Sequence, residues 1–346
     1  MTTAAVSDES QLLNAAAAGD HAAFRRLVED HRRSLHAHCY RMLASPHDAD
    51  DAVQDALLRA WRGVRGFEGR STVKTWLHRI ATNVCLDEIA KRSKRVLPFD
   101  YGPPGDAGGE GAAPLEESLW IEPYPDRELG AETDRTPPEA RYEQREALEL
   151  AFVAALQHLP ARQRGALILR DVLGFSAREV AEALDISVDA ANSGLARARK
   201  AVEARLPPQS QQATLRLLGD RAVRELVERF VDAFERGDVE TIVSMLTDEA
   251  LFSMPPYAGW CQGRRAVEDS WLMPGGPPPR LRYRVTTANG QVALGTYAIN
   301  ADARDYLPIA LDVVRFEGAR IAEVVAFRLP SIFVRFGLPP SLGGQD

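Results

Sequence analysis

The sequence predicts a multidomain chain of two all-α domains followed by an α+β domain, and three observations carry that reading. Apolar residues recur at helical period over 8–96 and again over 139–206. Between them, 97–138 holds eight prolines, many glycines and a run of acids, a composition that builds no core of its own. Over 220–335 helices come first and alternating strands follow, the order of an α+β cone. A chain of 346 residues has material for two or three such cores.

Charge divides the same way. The net charge of −7 splits into +3 over 1–96, −9 over 97–139, +1 over 140–206 and −2 over the remainder. The acidity is therefore concentrated in the linker, and the flanking segments are left free to meet nucleic acid. Cys39, Cys85 and Cys261 lie far apart with no C-x-x-C pair, so neither a disulfide framework nor a metal site is indicated, and no cofactor motif stands out. No signal-peptide pattern and no apolar run of membrane-spanning length occur, which predicts a soluble, cytoplasmic protein away from membranes.

In the first domain, Asp8 is placed to cap the opening helix, Gly19-Asp20 breaks it, and Ser45-Pro46 ends the next. From Asp48 to about 64 a helix buries Val53, Ala56, Leu57, Ala60 and Val64 and turns Asp51, Asp55, Leu58 and Arg62 outward. A loop punctuated by Gly63, Gly66 and Gly69 leads into the stretch that organises the chain, 67–95. There Val73, Trp76, Leu77, Ile80, Ala81 and Val84 form an inward stripe, while Arg79, Asn83, Asp87 and Lys91 share the opposite face. Lys91, Arg92, Lys94 and Arg95 crowd its C-terminal end, where cations suit the helix dipole and also a phosphate.

The ordered series DADDAVQDALLRAW, GFEGRS and KTWLHRIATNVCLDEI resembles region 2 of the bacterial sigma-70 family, in its extracytoplasmic-function (ECF) group. That resemblance implies a helix that grips the β′ coiled-coil clamp of core RNA polymerase, with Asp51, Gln54, Asp55 and Leu58 at the interface. It also implies a loop that captures a flipped-out base of the −10 promoter element, Phe67 to Ser71 here, and a helix whose Asn83 reads the base edge. The −10 DNA set is then Phe67, Arg70, Ser71, Lys74, Arg79, Asn83, Lys91, Arg92 and Arg95, a cationic track beside a cavity for an unstacked base.

In that family the linker threads through the polymerase cleft, where acids imitate nucleic-acid phosphate. Within it, Leu119-Trp120-Ile121-Glu122-Pro123-Tyr124-Pro125 is too apolar for a pure spacer, so a docked segment is predicted.

Helical pattern returns as one helix over 139–159 and another over 162–173. Ser176-Ala-Arg-Glu179 is a capping box, Asp185-Ile186-Ser187 turns the chain, and a basic helix follows. Two short helices joined by so tight a turn are a helix-turn-helix signature. The second buries Val188, Ala191, Leu195, Ala198 and Val202, and turns Asn192, Ser193, Arg197 and Lys200 to one outer face, with Ser187 as its cap. This part resembles sigma region 4, which implies contact with the −35 promoter element through Ser187, Asn192, Ser193, Arg197 and Lys200, and with the polymerase β flap. Many relatives carry arginine where this chain has Asn192 and Gly194, which predicts an altered −35 preference. Arg199 and Arg205 read as phosphate contacts or solvated charges.

After Leu206-Pro-Pro a polar tract to about Gln212 reads as a second linker. Two helices, a strand over 250–254, a helix over 264–272 and two hairpins follow, the first turning at Asn289-Gly290 and the second at Glu317-Gly318. The order, with MPPYAGWCQGRRAV, resembles the SnoaL-like branch of the NTF2-like superfamily. Members of that superfamily include isomerases and cyclases, yet all seven histidines lie outside this domain, leaving Asp269, Asp312 and Glu323 as the carboxylates available for proton transfer; none is selected by its spacing. The preferred reading is therefore no enzyme, and a pocket lined by Met254, Tyr257, Trp260, Trp271 and Tyr297 for a small apolar ligand, or a filled core. The apolar run 329–336 docks elsewhere on the chain or closes the cone itself. The whole reads as a sigma factor that directs promoter-specific initiation under control of its last domain; the alternative is a ligand-responsive helix-turn-helix regulator acting without polymerase.

Overall fold

The structure is a computed structural model that describes residues 2–105, 113–129, 143–271, 280–299 and 305–343, without the side chains of 2–8 and of Trp271. In chain order its helices are α1 (Thr2–Ala17), α2 (His21–Leu43), α3 (Pro46–Gly63), α4 (Val73–Ile89), α5 (Pro98–Tyr101), α6 (Leu150–Gln157), α7 (Ala161–Leu167), α8 (Ala177–Leu184), α9 (Val188–Glu203), α10 (Gln211–Arg236), α11 (Val239–Ser244) and α12 (Arg264–Trp271). The strands are β1 (Leu246–Ser253), β2 (Trp260–Gln262), β3 (Leu281–Ala288), β4 (Gln291–Ile299), β5 (Tyr306–Glu317) and β6 (Arg320–Phe327). They fall into two compact units: Met1–Lys94 with Glu128–Ala131 and Ala155–Arg205, and Arg95–Arg127 with Glu132–Ala154 and Leu206–Asp346. No described helix is long and apolar enough to cross a membrane.

The first unit is all-helical. The opening helix begins at Thr2, ahead of the expected cap at Asp8, while Asp20 caps α2 by accepting from the amides of Ala22 and Ala23. Pro46 sits in the first turn of α3, where its missing N–H costs nothing, and the Ser45 hydroxyl accepts from Asp48 N at 3.2 Å. Thr72 caps α4 in the same way. The core between α2, α3 and α4 is closed by fully buried Leu35, Tyr40, Met42, Ala60 and Leu77. Two buried histidines share the α2–α4 seam: His38 contacts the Thr82 hydroxyl at 2.9 Å, and His78 binds Lys74 O through Nδ1. Burial drives both toward the neutral form, His78 to about 4.

The helix-turn-helix domain packs against this core within the same unit. A Cβ on Gly165 would lie 3.2 Å from the Leu184 side chain and 3.5 Å from that of Thr82, so the glycine marks a close approach of α7 to α8 and α4. Beside it, buried Arg164 donates to Met42 O and to the Gln157 side chain, which replaces the water it has lost. Thr75 donates to Glu179 at 3.0 Å, and His78 meets Phe175 edge-on with ring centroids 5.8 Å apart.

Two helical expectations are corrected. The helix predicted over 139–159 is broken: a helical turn at 143–146 is followed by a break at 147–149 and then α6, and 139–142 lie outside the described residues. Beyond α7 the backbone relaxes into a π-helical turn at Ile168–Val172.

In the second unit the sheet order is β2-β1-β6-β5-β4-β3, with β1 parallel to β6 and every other pair antiparallel. One face carries the core against α10, with Val227, Phe230, Phe252, Leu294, Val314 and Val324 buried together. The run 329–336 closes the opposite face of its own sheet as a 3-10 helix, Pro330–Phe336. Thr286 donates to Phe336 O, Tyr297 donates to Pro339 O, and a Cβ on Gly295 would stand 2.6 Å from Leu338. The second linker is shorter than predicted, because Ser210 caps α10 and Gln211 and Gln212 are buried in the fold.

Candidate nucleic-acid and polymerase interface

The acidic helix presents the predicted stripe. Asp51, Gln54 and Asp55 are exposed on α3, and Leu58 keeps 54% of its surface, a large value for a leucine that has a core one residue away. Asp48, Asp51, Gln54, Asp55, Glu88 and Arg92 line a groove of about 340 Å³ beside them, and an ion pair of Arg92 with Asp48 joins its walls.

Next to that stripe lies the loop and helix assigned to the −10 element. Phe67 rests on Trp76, centroids 5.0 Å apart, so the aromatic loop residue is backed by the helix it precedes. Lys74, Arg79 and Asn83 are exposed on α4, with Lys74 also 5.8 Å over the Phe175 ring. Arg70 is exposed and pairs with Glu68, Ser71 is half-buried, and Lys91 pairs with Glu88 at 2.7 Å. Arg95 departs from the expected DNA track. It is buried, donates to Trp120 O at 2.7 Å and Glu117 O at 3.2 Å, and pairs with Glu122 at 3.1 Å. A guanidinium desolvated by three acceptors is a structural tie of the linker, not a phosphate contact.

The second helix of the helix-turn-helix is built as its sequence requires. The reciprocal Ser176–Glu179 capping box starts α8, and Asp185 ends it with φ of +53°. Ser187 then accepts from Ala190 N to start α9. At 100° per residue Asn192, Ser193, Arg197 and Lys200 fall within about 140° of arc, and all four are exposed. Val188, expected inward, is 41% exposed, because it occupies the first turn, before the helix reaches its core. Arg199 donates twice to Asp171, at 2.6 and 2.8 Å, so its charge is bound within the domain.

The predicted docked segment is docked, within the second unit. Trp120, Ile121 and Tyr124 are buried there, with Val96 and Trp120 joined by a bridge. The Asn289-Gly290 turn, read from sequence as a hairpin and nothing more, is its clamp. Asn289 accepts from Tyr124 N and donates to Leu148 O through its amide, each at 2.8 Å, and its own N donates to Tyr124 O. Gly290 N donates to Asp126, Gln291 accepts from Leu150 N, and Glu149 accepts from the amides of Gln211 and Gln212. Burial outweighs those two amides and raises the Glu149 carboxyl to about 7. Gln291 and Glu149 carry one signal in the sequence, a polar residue at the start of an apolar run.

The residues expected to line a pocket do not converge. Tyr297 lies on the face of the sheet that Pro330–Phe336 closes, and Trp260 spends its indole N–H on Gly102 O at 2.8 Å. Met254 and Tyr257 are half-buried, and the side chain of Trp271 lies outside the described residues.

Comparison with known proteins matches residues 27–95 to Sigma-70 region 2, 149–202 to Sigma-70, region 4, and 227–324 to a SnoaL-like domain. The chain is 42% identical over 322 residues to the ECF RNA polymerase sigma factor SigG of Mycobacterium tuberculosis, covering 92% of this chain and 85% of the relative. It is 34% identical over 191 residues to SigM of the same organism, covering 55% of this chain and 81% of that one. The crystal structure of the M. tuberculosis ECF sigma factor SigJ has a similar fold, with a TM-score of 0.54 and 24% identity, covering 89% of this chain and 97% of that one.

Proposed function

The chain belongs to the ECF group of RNA polymerase sigma factors, and from that premise we propose that its C-terminal domain restrains initiation by tying down the linker between the two promoter-reading domains. The α3 stripe, Asp51, Gln54, Asp55 and Leu58, meets the β′ clamp, and the helix-turn-helix domain meets the β flap. The Phe67–Ser71 loop with Lys74, Arg79 and Asn83 takes the −10 element, and α9 reads the −35 element through Asn192, Ser193, Arg197 and Lys200.

One observation supports the restraint: Asn289 binds both Tyr124 and Leu148. Elements named −10 and −35 lie about 25 base pairs apart, roughly 85 Å at 3.4 Å per pair. A compact unit the size of the helical one has a diameter of roughly 40 Å, so its two DNA-reading faces must separate to reach both elements. The chain that joins them would then have to extend. Tied to one turn at Tyr124 and again at Leu148, it is unable to. Release of the linker is the step that makes the chain competent.

Run-off transcription with purified core polymerase tests this on the full chain. Asn289→Gly keeps the left-handed backbone and removes the amide, and Trp120→Ala loosens the same segment. Both are expected to initiate more often than the parent chain. Output equal to or below that of the parent, with core binding intact, defeats the restraint and leaves the sigma assignment standing.

A further inference from the structure

The seam between α4 and the helix-turn-helix domain is lined with polar groups, where the cores on either side of it are apolar. Thr75 keeps 8% of its surface, and His38, His78 and Thr82 keep none. The helix-turn-helix domain closes over them: Phe175 meets the His78 ring, the Gly165 backbone approaches the Thr82 methyl, and Glu179 accepts from Thr75 at 3.0 Å. Such groups find partners in water as readily as in the seam, so a surface of this composition is suited to part where an apolar core is not.

The hydrogen bonds fix which nitrogen of each ring carries its proton. A carbonyl only accepts, so the Thr82 hydroxyl donates to His78 O at 2.7 Å, and its oxygen accepts from His38 Nε2 at 2.9 Å. His38 Nδ1 is then a bare lone pair, buried with no partner among the described residues. His78 is the opposite tautomer: Nδ1 donates to Lys74 O at 2.9 Å, and Nε2 accepts from the Ser34 hydroxyl at 3.1 Å. The two rings meet edge to face, centroids 5.5 Å apart. A second proton on His38 would be a buried N–H with no acceptor. The charged and titratable groups beside the pair are His31 and Arg41 on α2 and Lys74 on α4, and each disfavours a further cation. From the helix-turn-helix side come Glu179, engaged by Thr75 and Ser176, and Arg164 and Arg170, engaged by Gln157 and Phe175 O.

We propose that His38 and His78 form a proton-operated latch: the seam closes over two neutral rings, and their protonation in mild acid parts the helix-turn-helix domain from α4 while each domain stays folded. With Phe175 lifted off, the His78 ring meets water and returns toward 6.5, from about 4 in the closed seam. Opening therefore takes up protons between those values, and acid favours the open form. For His78 alone the gain from pH 7.5 to 5.5 is up to about tenfold. The latch rests on the reading that the two promoter-reading domains separate for initiation, and it works apart from the Asn289 tie on the linker.

Energy transfer between dyes at Arg25→Cys on α2 and Glu203→Cys on α9 tests it, in the full chain without polymerase or DNA; both positions are exposed, and Cys39, Cys85 and Cys261 are buried. Transfer is expected to fall reversibly as pH is lowered from 7.5 to 5.5, with an unchanged far-ultraviolet circular dichroism spectrum. In the double variant His38→Gln, His78→Gln, which cannot take up the protons, transfer is expected to stay flat. Thr75→Val keeps both histidines and loses the Glu179 contact, so it is expected to open at a higher pH than the parent chain. Constant transfer in the parent overturns the latch, as does an equal fall in the double variant or a fall that comes only with loss of the circular dichroism signal. Should the double variant not fold, Thr75→Val decides alone, and a midpoint equal to the parent's overturns the latch. A failed latch leaves the sigma reading and the linker restraint standing, because those answer to run-off transcription.

Discussion

Asn289 and Tyr124 exchange two hydrogen bonds of 2.8 Å, amide N–H of each to an oxygen of the other, across 165 residues of sequence. The side chain of Asn289 accepts from Tyr124 N through Oδ1 and donates through Nδ2 to Leu148 O, so one buried amide closes two chain crossings at once. Asn289→Gly leaves Tyr124 N and Leu148 O without side-chain partners, at about 1–3 kcal/mol for each buried group left unpaired. The backbone at φ of +55° suits glycine, so this loss is isolated from strain. Limited proteolysis is expected to cut 113–129 several-fold faster in the variant, while cleavage within α2 to α4 keeps its rate.

The Glu149 carboxyl gives the same junction a pH dependence. Its pKa rises from 4.5 in the open chain to about 7 in the fold, so folding takes up a proton between those values. The stability it contributes is therefore fully present below about 4.5 and is lost as pH rises to about 7, by about 3 kcal/mol at 1.36 kcal/mol per unit. His78, in the other unit, acts with the opposite sign: its pKa falls from 6.5 to about 4, so stability is lost as pH falls through that window. Thermal unfolding followed at several pH values is expected to show the second unit's transition moving down between pH 5 and 7. In Glu149→Gln that movement is expected to shrink, while the first unit's response to acid stays as it was.

What could be read from the residues was whatever short-range physics decides. Caps at Ser176 and Ser187, the stripe on α3 and the outer face of α9 all depend on spacing within a helix, and each lies where the pattern put it. Trp120 and Tyr124 announced a docked segment because so apolar a run is costly in water. Which surface receives it depends on residues far away in sequence, and nothing local about Asn289-Gly290 distinguishes a clamp from a plain hairpin turn. Arg95 departs for the same reason: in sequence it extends a basic cluster past the end of α4, and only the returning chain at 117–122 supplies the acceptors that bury it. Tyr297 departs from the expected pocket because strand alternation turns it toward Phe333 and Pro339, while Thr296, one residue earlier, meets Asp312 on the other face.

Leu58 offers a separation of binding from folding. Its side chain is 54% exposed on α3, so Leu58→Asp is expected to change stability by no more than about 0.5 kcal/mol. On the proposed clamp-binding stripe it is expected to cost at least tenfold in affinity for core polymerase, because the charge is desolvated on association. Surface plasmon resonance against immobilised core enzyme, beside a thermal melt of the same sample, checks both halves.

The recognition helix separates reading from holding. Asn192 and Arg197 are exposed on the arc of α9 proposed to face the major groove, and each is expected to contribute about 1–3 kcal/mol of discrimination at its own base pair. Asn192→Ala should therefore weaken binding to the selected −35 element and relax preference at one position, adenine in particular, because an amide pairs with the N6 and N7 edge. Lys200→Ala should instead weaken binding to every sequence alike and lower the slope of log affinity against log salt by about 1. Arg199 has its charge engaged by Asp171 at 2.6 Å, so Arg199→Ala should leave both the preference and the salt slope where they were. Anisotropy titrations of polymerase-bound chain on −35 variants at three salt concentrations distinguish the three. An Arg199→Ala chain that loses a unit of salt slope would show that the Asp171 pair opens when DNA arrives.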